Sequence, residues 1–200
     1  MSIKQENIVA GIGTLYLAPY GEAYPATTGA SLTWGANWKE VGATKGGVEI
    51  QITTEFFAIE IDQKNAPIGH EITKQSGKIV AVLAETDIAR MTTAIANAKK
   101  TDTVGGPAQV ALSTLEVGPA TPHTVYSLGF ETKAPGSPVN TSYWRMFKFW
   151  RVIAMGTLGL AYKKGEVTVM NVEFDVEEDS SKDADTSLFA VVDMTGPTVP

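Results

Sequence analysis

The sequence predicts a mainly β, α+β fold: an antiparallel β-sandwich or barrel-like domain with one α-helix and two long β-hairpins. Three observations carry that expectation. Apolar and polar residues alternate with a period of two in long segments around residues 48–61 and 166–178. One segment, about 86–99, repeats at helical spacing. Glycine- and proline-rich turns separate the rest. A chain of 200 residues with 44% hydrophobic and 19% charged content is sized for a single domain, 1–200, with its core at about 8–193.

The elements follow in order. Ile8 to Pro19 alternates loosely, with Ile12, Thr14 and Tyr16 against Leu15 and Leu17, and predicts a first strand. A turn-rich loop of about 19–37 follows, longer than most connections, and such loops tend to serve partners. Trp34 and Trp38 then lead through Gly42, Gly46 and Gly47 into the central hairpin. There Val48, Ile50 and Ile52 oppose Glu49, Gln51, Thr53 and Glu55, which describes one dry and one wet face. At Phe56-Phe57 the parity flips to Phe57, Ile59 and Ile61, so one extra residue, a β-bulge or sharp bend, is expected there. A turn over 62–67 precedes a return strand from Ile72 to Ala84.

Thr86 is the expected cap of the helix, and Asp87 suits its positive end. Ile88, Met91, Ile95 and Ala98 form its packing face, and Lys99, Lys100 and Gly105-Gly106-Pro107 close it. Thr101 to His123 reads as irregular, with a short strand at Ala108 to Leu115. Thr124 to Lys133 reads as a strand, and Ala134 to Pro138 as a turn. Tyr143 to Met155 is apolar on both faces, so both should be covered, the second by another subunit. After a glycine-rich turn at Gly156 to Gly165, the last long strand has Asn171, Glu173, Asp175 and Glu177 wet and Val172, Phe174 and Val176 dry, with a parity shift near Val169-Met170. An acidic turn and a short strand, Leu188 to Val192, end the fold.

Several functions are disfavoured. A net charge of −6 does not suit a surface that holds phosphates. There is no cysteine, hence no disulfide or thiolate metal site. Met1 to Asn7 is polar, so no signal peptide is predicted, and no apolar run reaches the length of a membrane helix. His70 and His123 lack a second histidine at ligand spacing. There is no Gly-x-Ser-x-Gly elbow, Gly11-Ile12-Gly13 lacks a third glycine, and Asn140-Thr141-Ser142 reads as a turn. No catalytic residue, cofactor or metal is expected. The wet faces also fit ordinary solvated sheet, and the aromatic strand reads as core before it reads as a ligand platform.

The order of parts resembles the tail tube proteins of long-tailed, siphovirus-like bacteriophages. The residues that carry the resemblance are Trp38 to Val48 entering the strand, Ile59-Glu60-Ile61-Asp62-Gln63 with Pro67-Ile68 at the hairpin turn, and Leu83-Ala84-Glu85-Thr86 before the helix. It implies a structural virion protein without enzymatic activity, forming hexameric rings that stack into a tube. Each subunit would give two hairpins to a continuous inner barrel of about 24 strands, on the order of 48 Å across at the backbone. Under that reading Glu49, Gln51, Thr53, Glu55, Asn171, Glu173 and Asp175 line an acidic bore through which double-stranded DNA passes without specific binding. Tyr20, Tyr24 and Trp34 would lie in an inter-ring or inter-subunit loop. Partners would be other copies of the chain, a tape-measure protein, a tail terminator and baseplate or tip proteins, with no membrane involved. The location would be the virion tail, after synthesis in the host bacterial cytoplasm. Two alternatives stand beside it: a tube of a contractile injection or secretion apparatus, and a carbohydrate-binding β-sandwich stacking sugars on Trp34, Trp38, Trp144 or Trp150.

Overall fold

A computed structural model describes residues 12–28, 31–60, 62, 64–106, 110–119, 122–135, 143–155, 160, 164–165 and 167–194. Strands β1 (Thr14–Pro19), β2 (Lys39–Glu40), β3 (Thr44–Ile59) and β4 (Gly69–Leu83) precede helix α1 (Ile88–Ala94). Strands β5 (Ala98–Thr103), β6 (Leu112–Val117), β7 (Val125–Lys133), β8 (Trp144–Ala154), β9 (Met170–Glu177) and β10 (Phe189–Asp193) follow, with a short 3-10 helix at Ala184–Thr186. The main sheet is antiparallel, in the order β2-β1-β7-β8-β9-β4-β3, with β10 also paired to β8; β5 and β6 form a separate hairpin. The fold is mainly β, as expected.

The expected start of the first strand at residues 8–11, Ile61 and Gln63 of the hairpin tip, Pro107, and residues 136–142 and 156–159 lie outside the described residues.

The hydrophobic pattern explains the core. Leu15 and Leu17 of β1, Leu128 of β7, Phe149 and Val152 of β8, Val172 and Phe174 of β9, and Ile79, Ala81 and Leu83 of β4 are buried in one cluster. Strands β1 and β4 are four places apart in the sheet, or about 19 Å if it were flat. Sharing one core requires the sheet to curl over on itself, and Ala94, Met91 and Ile95 pack into the same cluster. The result is barrel-like but open: among the described residues, β2 and β3 end the sheet without pairing to each other.

Two sequence expectations are corrected. The helix spans Ile88–Ala94 instead of 86–99, and its cap is Asp87, whose carboxylate accepts the Arg90 amide at 3.0 Å. The Thr92 and Thr93 hydroxyls donate to the carbonyls of Ile88 and Arg90, at 2.8 and 2.7 Å. Such bonds, together with β-branched side chains, compete with helix continuation. Ile95 is already extended and Ala98 begins β5, so the expected apolar stripe is split between a helix and a strand. The irregularity near Phe56 exists, but its extra residue is in the partner strand. Glu55 pairs with Lys74 and Phe56 with Ile72, which leaves Thr73 over; its hydroxyl donates to the Glu55 carbonyl at 3.2 Å.

Strand β10 is pinned by a two-pronged ion pair: Arg145 Nε and Nη2 donate to the Asp193 carboxylate at 2.6 and 2.7 Å. The Arg145 hydrogen bond holds the Asp193 carboxyl below its ordinary range. A depressed carboxylate pKa adds stability above the unfolded value that is lost as pH falls through the folded one. Asp193→Asn should therefore cost on the order of 1 kcal/mol at neutral pH, and the cost should fade as the pH falls below the ordinary carboxylate range. Thermal unfolding of both proteins from neutral to acid pH checks this; curves that keep a constant gap would refute it.

Candidate assembly surface

Strands β8, β9, β4 and β3 lie side by side, so both expected hairpins join one surface with the β4–β9 seam at its centre. Because paired residues share a face, register decides what this surface carries. Glu49 pairs with Val80 and Val80 with Glu173; Gln51 pairs with Lys78 and Lys78 with Asp175. Thr53 opposes Ser76, Glu55 opposes Lys74, and Asn171 opposes Val82. All seven residues singled out from the sequence thus occupy one face, while Ile79, Ala81, Val172 and Phe174 point to the core. The apparent parity shift near Val169 is the start of β9, since Met170 is buried in phase with Val172.

Register also reveals what the sequence pattern missed. Lys74 and Lys78 of β4 and Arg151 of β8 sit on this face among the carboxylates. Lys78 Nζ lies 2.6 Å from Glu173 and Arg151 Nε 2.7 Å from Glu177. From β8 out to the Glu55–Lys74 pair, five carboxylates (Glu49, Glu55, Glu173, Asp175, Glu177) face three cations, so this stretch carries −2 per chain; Glu71, paired with Phe57 further out, adds one more acid to the same face. It is acidic, but more mildly than the acids alone imply.

The other half of the sheet is covered by its own chain. Residues 19–28 and 31–37 of the loop fold back over β1, β7 and β8. The Tyr24 hydroxyl lies 2.7 Å from the Phe149 carbonyl and 3.2 Å from that of Leu128. Trp34 stacks on Tyr16 with ring centroids 4.2 Å apart, and its Nε1 donates to Glu131 at 2.7 Å. Tyr20 donates to Asp179 at 2.8 Å, and Trp38 to the Ala23 carbonyl at 2.8 Å. Gly129 makes the packing possible, because a Cβ there would fall 2.2 Å from the Trp34 ring. Burial raises the Tyr24 pKa and lowers that of Lys148 beneath it, as expected for groups under an aromatic lid. Around Lys148 the second face of the aromatic strand is thus covered by this loop, where the sequence predicts a cover from another subunit.

This packing bears on the sugar-binding alternative. Trp38 and Trp144 are buried. The rings of Trp34 and Trp38 meet at 64°. Trp150 meets the Tyr24 ring edge-on at 90° and carries Lys182 Nζ 4.9 Å over its face, so the four tryptophans offer no exposed coplanar platform. Among the described residues no helix is long and apolar enough to cross a membrane, and no cluster of His, Asp and Glu could hold a metal.

What the chain leaves open is on the other side. Among the described residues, β3 and β4 pair only with each other beyond the Gly77–Val176 pair, and β3, sixteen residues long, is a terminal strand of the sheet. A family model described as phage tail tube protein matches residues 2–110, more than half of the chain and all of this hairpin. No curated protein matches the chain.

Proposed function

The chain belongs to the phage tail tube protein family, and from that premise we propose that it polymerises as stacked hexameric rings into the tube of a long-tailed phage. The observation that carries this reading is the combination of one polar and one core face on β8-β9-β4-β3 with a bare terminal strand. Such an edge invites pairing with another chain, and joining edge to edge around an axis turns the polar faces inward as a continuous lining. Each subunit contributes four neighbouring strands, consistent with a barrel of about 24 in a hexamer. The role is structural, without catalysis. The tape-measure, terminator and baseplate or tip proteins are the partners at the bore and the two ends, and assembly follows synthesis in the host cytoplasm.

Negative-stain microscopy of concentrated protein tests the reading. Hollow tubes with a regular axial repeat are expected, and a chain that stays monomeric both alone and with the other tail proteins would end it.

The lining works by weak repulsion. A bore at −2 per chain holds DNA phosphates off the wall without trapping counter-charge. Replacing Glu49 and Glu55 by lysine changes that value to +2. Both carboxylates are exposed and outside the ion pairs, so tubes should still form. Genome release in vitro should become slow at low salt and recover at high salt. Release at the wild-type rate at every salt concentration would refute the sliding mechanism.

A further inference from the structure

The outer half of the β3–β4 hairpin, in which 53–59 of β3 pair with 69–76 of β4, projects past the body of the sheet. From Ile52 to Ile59 the strand runs about 23 Å. It carries a cluster of exposed apolar side chains: Phe56 at 59%, Phe57 at 61%, Ile72 at 55%, Ile68 at 51% and Ile59 at 39% exposed. These side chains occupy both faces. Phe56 pairs with Ile72 and, by strand alternation, continues the core face of Ile50 and Ile52. Phe57, opposite Glu71, and Ile59, opposite Gly69, fall on the polar face.

A strand that merely lined an aqueous bore would need one apolar face, and apolar side chains on both faces describe a strand buried on both. Exposed apolar patches of this kind mark interaction sites. We propose that this arm is inserted between copies of the chain and covered by them on both faces, Phe57 and Ile59 included. The inference rests on the tube reading above and sharpens it: the apolar part of the polar face is a joint, and the bore wall stops at Glu55. A second copy is the favoured occupant for two reasons. The core face runs onto the arm without a break, so its natural cover is more of the same sheet. The unpaired edge of β3 runs the full length of the arm and takes a strand. A lipid surface is disfavoured, because Glu55, Glu60 and Glu71 are interleaved with the apolar groups.

The chain has no cysteine, so Phe56→Cys and Phe57→Cys each give a single thiol whose maleimide labelling rate reports its cover. Both should label fast in dilute monomer and about tenfold or more slower in assembled tubes. Phe57→Cys labelling at the monomer rate in tubes would open that face to the bore and overturn the proposal. Protection of Phe57→Cys that appears only when other tail proteins are added would assign the face to them and overturn it equally. A second variant guards against loss of assembly by labelling: Phe57→Asp should keep the monomer's unfolding temperature, since the arm is outside the core, yet form no tubes. Tubes from Phe57→Asp would overturn the arm's role alone. Wild-type protein that forms no tubes would overturn both this and the tube reading.

Discussion

Phe174→Ala should be the most damaging single substitution in the sheet. Phe174 is fully buried at the seam of the fold, pairing with Ile79 of β4 on one side and Ala154 of β8 on the other. Truncating a buried phenylalanine costs roughly 3–5 kcal/mol, the lost transfer free energy plus the cavity left behind. Total stabilities run to about 5–15 kcal/mol, so the variant would lose a large share of its margin. In a chain of this length the unfolding midpoint should fall by roughly 6–20 °C. Differential scanning calorimetry reads the shift directly, and a midpoint within a degree of wild type would mean that β9 is not the centre of the core. Damage would also reach the polar surface. Glu173 and Asp175 flank Phe174 on the opposite face, so a shift of β9 would displace them as well.

Gly129→Val should release the loop. The new Cβ would lie 2.2 and 2.5 Å from two atoms of the Trp34 ring, so the ring must leave. With it go the stack on Tyr16 and the hydrogen bond to Glu131. Overpacking of this kind costs about 1–3 kcal/mol. Tryptophan emission should shift to the red as Trp34 enters water, and the shift should be absent in a Trp34→Phe background. An unchanged spectrum would mean that the loop does not depend on this contact.

How much of the structure is legible in the sequence depends on what sets each feature. The wet and dry faces of β3 and β9 can be read because alternation is a local property of a strand, and all seven polar residues fall on one face. Lys74, Lys78 and Arg151 cannot be assigned to that face from the sequence. Their position depends on pairing between strands far apart in the chain, and the Thr73 bulge shifts the phase of β4. Helical spacing overstates the helix because Ile95 and Ala98 keep that spacing after the backbone has turned extended; the Thr92-Thr93 pair is the signal against it. Strand β5, Ala98–Thr103, is invisible for a different reason. Its residues are nearly all exposed, so no apolar alternation marks it. The loop is the reverse case. Its length points outward to partners, while Tyr24, Trp34 and Trp38 bring it down onto the chain's own sheet.

The unequal margins of the sheet have one more consequence. At one side stands a strand of sixteen residues and at the other a strand of two. Under the proposed assembly, copies that join this long strand to an unlike surface of the next copy cannot meet by a twofold axis, so each contact is heterologous and every subunit in a ring faces the same way. A column built from such subunits is an arrow: its leading and trailing rims differ in shape, growth at the two is inequivalent, and a cap that fits one rim does not fit the other.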